Sequence, residues 1–148
     1  MPPSDDIVLF RRAPDRLPRD LLAGFARVLR EQVAGGRPFH CLITDDREMR
    51  RLNRKFLGSD YPTDVLSFPS GAGAEFLGEI AISSQRAVAQ ARSRGHVPLD
   101  EFRLLMLHGL LHLLGMDHET DGGRMARAEA RWLKKLGLPA GLIRRERS

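Results

Sequence analysis

Cysteine is almost absent from this chain of 148 residues: Cys41 stands alone, so no internal disulfide can form. In "FHCLIT" it reads as a buried, inert thiol on a strand. A lone cysteine fits a reducing compartment, the cytosol. Long apolar runs are missing too. The longest, Leu104 to Met116, is interrupted by two histidines and is too short to span a bilayer. No membrane segment is therefore expected. "MPPSDDIVLFRR" puts acids before a short apolar run, the wrong order and length for a signal peptide. Internal repeats and low-complexity linkers are also lacking. Hydrophobic residues at 42% and charged residues at 29% exclude a disordered chain and fit one globular domain over residues 1–148. That length buries a core without staples.

An acidic balance is missing as well. The net charge is +5 and the sequence pI about 10.3. A basic domain points to an acidic partner, most commonly nucleic acid. The excess of Arg over Lys, with abundant Ala and Leu, equally fits a compositional bias of the genome. The end of the chain, "IRRERS", reads as a basic tail.

What is present is a regular alternation of elements. Ile7 to Phe10 reads as a strand. After the Pro-broken "APDRLPRD", Asp20 can cap a helix to about Val33, with Leu21, Leu22, Phe25, Val28 and Leu29 on one face. Phe39 to Thr44 is a second strand. Thr44 or Asp45 caps a helix to about Phe56 whose inner stripe is Met49, Leu52 and Phe56. "VLSFP" and "FLGEIAIS" are strands, and Ser83 or Ser84 caps a helix to about Arg94. Leu99 to Leu114 is the most apolar helix, expected to be central and buried. A last helix runs from Gly122 to Leu136. The order βα-βα-ββ-ααα predicts an α+β fold: a small mixed four-stranded sheet packed with about five helices.

The central helix carries the chemistry. In "LMLHGLLHLLGMDHE", His108 and His112 are four residues apart, on one helical face, able to converge on one ion. His118 would point away in a continuous helix. Gly115 can adopt a left-handed conformation as the C′ residue and turn the chain so that His118 returns. Two histidines among leucines need polar partners, and a metal supplies them. Three nitrogen ligands favour one Zn²⁺ at the end of this helix, with a fourth position for water. Zinc lowers the pKa of such a water to about 7. Peptidases with this spacing place a Glu base after the first His; here that residue is Gly109. Asp117, Asp64 and Glu79 are possible replacements, each equally readable as a capping, loop or solvated residue. His40 and His96 read as strand and loop residues rather than ligands.

"HGLLHLLGMDH" resembles the signature of the YbeY family of bacterial endoribonucleases, also called rRNA maturation factors. "LNRKFLGSDYPTDVLSFP", "LGEIAIS" and "DHETDGGRMARAE" are similar to other stretches of that family, so the resemblance runs from about Leu42 to Trp132. It implies a zinc-dependent endoribonuclease directed at single-stranded RNA. Such an enzyme acts in rRNA processing and ribosome quality control in the bacterial cytoplasm, with ribosomal RNA or a ribosomal subunit as partner. It also implies a mixed four-stranded sheet with helices around it, and His108, His112 and His118 as the zinc ligands.

One position departs from the family. An Arg that matters for activity often precedes the Gly of the second stretch; here it is Leu57. The role passes to Arg54 or Lys55, is dispensable, or is lost with part of the activity. Arg50, Arg51, Arg54 and Lys55 form a basic run that suits either RNA contact or a solvated face. Met125, Ala128, Glu129, Trp132 and Leu136 follow helical spacing, which makes Met125 and Trp132 core residues rather than a methionine beneath the metal or a stacking platform.

Two other functions remain open at this level. A zinc peptidase shares the ligand spacing but not Gly109. A non-catalytic, zinc-containing ribosome-assembly or RNA-binding factor fits Leu57. Whether cleavage proceeds by water or by the RNA's own 2′-hydroxyl is also open, as is the oligomeric state.

Overall fold

A computed structural model describes residues 7–58, 63–116 and 122–139. Four strands and five helices follow one another as expected: β1 (Val8–Phe10), α1 (Arg19–Gln32), β2 (His40–Thr44), α2 (Asp46–Leu52), β3 (Val65–Pro69), β4 (Gly78–Ser83), α3 (Ser84–Arg94), α4 (Pro98–Leu113) and α5 (Arg124–Lys135). The sheet order is β1-β2-β4-β3. β1, β2 and β4 are parallel, and β3 runs antiparallel to β4 at one edge. The fold is α+β with a mixed sheet.

Register divides the strands into two faces. Cys41, Ile43, Ile80 and Ile82 share one core with the buried stripes of α1, α4 and α5 and with Ala87 of α3. The alternate residues form rows on the other face: Leu9 beside Leu42, Leu42 beside Ala81, and Ala81 beside Leu66. There Met49 of α2 joins Leu66 and Ala81 in a small second core, with Leu42, Leu52 and Phe68 packed partly buried against it. Cys41 is buried, and burial pushes its thiol up to about 12, so it is inert as expected.

Two helices depart in detail from the sequence reading. In α1 the N-cap is Pro18, and Asp20 sits in the first turn, where an acid complements the helix dipole without capping. The buried stripe is Leu22, Phe25, Ala26 and Leu29. Leu21 and Val28, seven apart on its flank, are exposed. The helix capped by Asp45, whose side chain accepts from Glu48 N–H, does not stay α-helical to Phe56. Residues Asn53–Leu57 form a π-helical turn, with Gly58 N–H bonded to Asn53 O. The wider turn changes the angular phase. Met49 is buried and Leu52 half-buried, but Phe56 is swung outward and is 57% exposed.

α4 is central, with ten buried residues between Glu101 and Leu113. Its first turn is pinned to α3. The fully buried Glu101 accepts hydrogen bonds from Arg94 Nη1 (3.1 Å) and pairs with His96 Nδ1 (3.3 Å). A buried carboxylate requires such partners.

Candidate metal centre

His108 and His112 lie on one face of α4, and His112 is in its last turn. Both are half-buried. Their ring centroids are 4.9 Å apart with planes at 75°. Behind His108 stands Glu129 of α5, whose Oε2 is 2.9 Å from Nδ1. Both side chains are nearly buried, 12% and 6% exposed. An ionised carboxylate can only accept, and toward one the ring presents Nδ1–H. In that tautomer the ring's lone pair lies on Nε2. A carboxylate behind a histidine is the usual outer support of a metal-ligating imidazole. Two imidazoles so placed are donors of the kind zinc takes. Sequence reasoning placed Glu129 in the apolar stripe of the last helix without giving it a role. An acid at a core-facing helical position was the signal, because it must have a partner there.

Gly115 closes α4 as expected. It has φ 97°. Its N–H bonds His112 O at 2.9 Å, and Met116 N–H bonds Leu111 O at 3.1 Å. These two bonds are a Schellman motif, which reverses the chain directly after the second histidine. His118 and Asp117 lie outside the described residues. Among the described residues, no group of three His, Cys, Asp or Glu side chains is placed to hold a metal.

The missing Glu after the first histidine has a packing cause. A methyl at Gly109 would fall 2.7 Å from Ile80 Cγ2 and 3.2 Å from Cγ1. Gly109 O also accepts from Ser67 Oγ at 3.1 Å. This position lies against the sheet, so a side chain here would enter the β4 packing rather than approach the histidines. Glu79 is excluded as a nearby base by register. It alternates with Ile80, projects from the opposite face of the sheet and is exposed. The Asp64 carboxylate accepts from Gln90 Nε2 at 3.2 Å, and its carbonyl accepts from Ser83 N–H at 3.0 Å. It ties the start of β3 to α3.

The basic run is not brought to the histidines. α2 packs on the Ala81 and Leu66 side of the sheet, whereas α4 lies over Ile80. Arg50, Arg51, Arg54 and Lys55 are all exposed. Arg51 turns to Glu48 (3.0 Å), and the Lys55 ammonium lies 5.3 Å from the centre of the Phe56 ring. Met125 is a core residue of α5, as its spacing predicts, and Trp132 packs partly buried against the core. His40 lies edge-on to Phe76, and His96 belongs to the Glu101 pairing.

Comparison with known proteins gives one consistent family. The family described as endoribonuclease YbeY matches residues 17–137. The endoribonuclease YbeY of Solibacter usitatus is 58% identical over 146 residues, covering 99% of this chain and 98% of that protein. The proteins of the same name from Nautilia profundicola and Koribacter versatilis are 52% and 49% identical. They cover 69% and 70% of this chain, and 74% and 68% of their own lengths. A solution structure of a Thermotoga maritima protein is similar in fold, with a TM-score of 0.58 and 27% identity, covering 86% of this chain and 89% of that one.

Proposed function

This chain belongs to the endoribonuclease YbeY family, and from that premise we propose that it is a zinc-dependent endoribonuclease. It cleaves phosphodiester bonds in single-stranded RNA. It acts in the cytoplasm, in rRNA maturation and ribosome quality control. His108, His112 and His118 hold one zinc ion per chain. The observation that carries the metal part is the His108–His112 pair with Glu129 on the far nitrogen of His108. A bound zinc ion supplies Lewis acidity, polarising a phosphoryl oxygen and making water more acidic near neutral pH.

The chain's own residues prepare that chemistry. Glu129 fixes the tautomer and the ring plane of His108, so its Nε2 lone pair is presented without reorganisation. The Schellman turn at Gly115 sends the chain back after His112. Close packing of Gly109 on Ile80 leaves no room for a Glu at the position that follows the first histidine. That absence separates the site from peptidases, in which a Glu at this place takes a proton from water. A phosphodiester is already anionic, so cationic groups that neutralise it help more than a further acid would. A second reading, RNA binding without cleavage, is favoured by Leu57, a half-exposed apolar residue on the surface.

The test is to incubate zinc-loaded protein with structured RNA and, separately, with casein. A His112→Ala variant with an unchanged circular dichroism spectrum runs alongside. Cleavage of RNA that the variant loses is expected. RNA bound but uncut would favour the second reading, and cut casein would restore the peptidase. Fresh protein without stoichiometric metal by elemental analysis would overturn the zinc assignment.

A further inference from the structure

Away from the histidines, the exposed face of the sheet carries a groove of about 530 Å³. Leu9, Leu42, Phe56, Phe68 and Arg11 are among the residues that line it. Leu9 and Phe56 are each 57% exposed. The Phe56 ring meets Phe68 edge-on at 5.6 Å.

Arg11 links this groove to a cluster of charge. Its Nε and Nη2 donate to the two oxygens of Glu48, at 3.1 and 2.8 Å. Arg12 Nη1 donates to Oε1 at 3.1 Å, Arg51 Nη2 to Oε2 at 3.0 Å, and Thr44 Oγ1 to Oε1 at 2.9 Å. The carboxylate is buried, while the three arginine side chains are about half-exposed. Three guanidinium groups face one carboxylate, which leaves two positive charges in excess. Arg12 adopts φ 55°, a left-handed conformation that a non-glycine residue takes at a cost. The neighbouring depression of about 380 Å³ is lined by Arg12, Asp45, Arg47, Glu48 and Arg51. A lone surface arginine loses side-chain entropy when it grips a ligand. Here the buried Glu48 has already fixed three of them.

We infer that this face is a second binding platform for single-stranded RNA, with a base against Phe56 in the groove and the phosphate chain along Arg11, Arg12 and Arg51. Aromatic surface next to pre-positioned cations is the combination that unpaired nucleic acid requires. The inference rests on RNA being the substrate. A platform on the opposite side of the sheet from His108 and His112 would hold a strand beyond the segment being cut.

The test is fluorescence anisotropy of the full chain with a labelled 2′-O-methyl oligouridine of about twelve residues, within the span of single-strand sites. Arg12→Ala is expected to weaken binding several-fold and to reduce the slope of log K against log salt by about one. Phe56→Leu is expected to cost about tenfold with the oligouridine and nothing with an abasic strand of equal length. Each variant's unfolding midpoint is measured. Arg12→Gly, which suits the left-handed backbone, serves if Arg12→Ala is unstable. Wild-type affinity and salt slope in these variants, while wild-type protein still cleaves RNA, would overturn the platform and leave the nuclease standing. Loss of self-association in Phe56→Leu by sedimentation, with oligonucleotide binding intact, would overturn it in favour of a second copy of the chain. A wild-type protein that neither binds the strand nor cuts RNA would overturn both.

Discussion

Gly109 illustrates how one residue can have a cause different from its apparent meaning. In the sequence it is a gap in a hydrolase motif; in the fold it is where α4 packs against Ile80 of β4 without room for a side chain. Gly109→Ala gains up to about 1 kcal/mol of helix propensity but inserts a methyl at 2.7 Å from Ile80. Overpacking of this kind costs about 1–3 kcal/mol, so net destabilisation is expected. Urea unfolding of a double-mutant cycle checks the cause. Ile80→Ala should cost less in the Gly109→Ala background than in the wild type. Glu48 gives a second prediction. Burial pushes its carboxyl up, but hydrogen bonds from Arg11, Thr44 and Arg51 outweigh this and hold it below the ordinary range. A lowered folded value stabilises fully above the unfolded value of about 4.3, and that contribution is lost as pH falls through the folded value. Glu48→Gln is expected to cost about 1–2 kcal/mol at pH 7, discounted because its arginines are half-exposed. The gap between variant and wild type in urea unfolding should shrink at acid pH. The sequence did not single out Glu48, Arg11 or Arg12. Their meeting depends on β1 and β2 lying side by side, which no local pattern encodes.

At the scale of elements, legibility followed periodicity. Strand and helix identities emerged because apolar spacing and caps such as Asp45 and Ser83 are local signals. Gly115 as terminator of α4 was readable for the same reason. The π-turn was not, since Met49, Leu52 and Phe56 satisfy an α-helical stripe and nothing nearby announces a wider turn. Nor was the bond between α4 and α5. His108 and Glu129 are 21 residues apart, and only tertiary packing brings them to 2.9 Å. That bond yields a prediction about two helices acting together. Glu129→Gln, nearly isosteric, should weaken zinc affinity about 10–100-fold by competition with a chromophoric chelator. Its apo-protein unfolding curve should move much less, because a purely structural role would do the reverse.

For the whole molecule, the expected order of elements and the α+β class are as observed, whereas the strand order β1-β2-β4-β3 had to be seen. Non-consecutive neighbours arise from crossovers whose course the sequence does not mark. The histidines lie on α4, whereas α2, where the basic run begins, packs on the opposite face of the sheet. A ligand held by the folded chain alone raises its apparent stability. Zinc at about 100 times its dissociation constant should add about 2.7 kcal/mol, a rise in Tm of roughly 5–10 °C for a domain of this size. Differential scanning calorimetry with and without zinc checks this, and His112→Ala should abolish the rise.

The uneven cover of the sheet has a consequence for motion. Four helices share the core on one face, while α2 contributes the buried Met49 and the half-buried Leu52 to the small core on the other. Opening free energies follow such differences in burial. Amide protons from Asp46 to Leu57 should therefore exchange with solvent through local openings, while those of α4 wait for the whole domain to unfold. The protein is in this sense two clocks on one sheet. The slow one guards the histidines, and the fast one belongs to α2 and the π-turn that follows it.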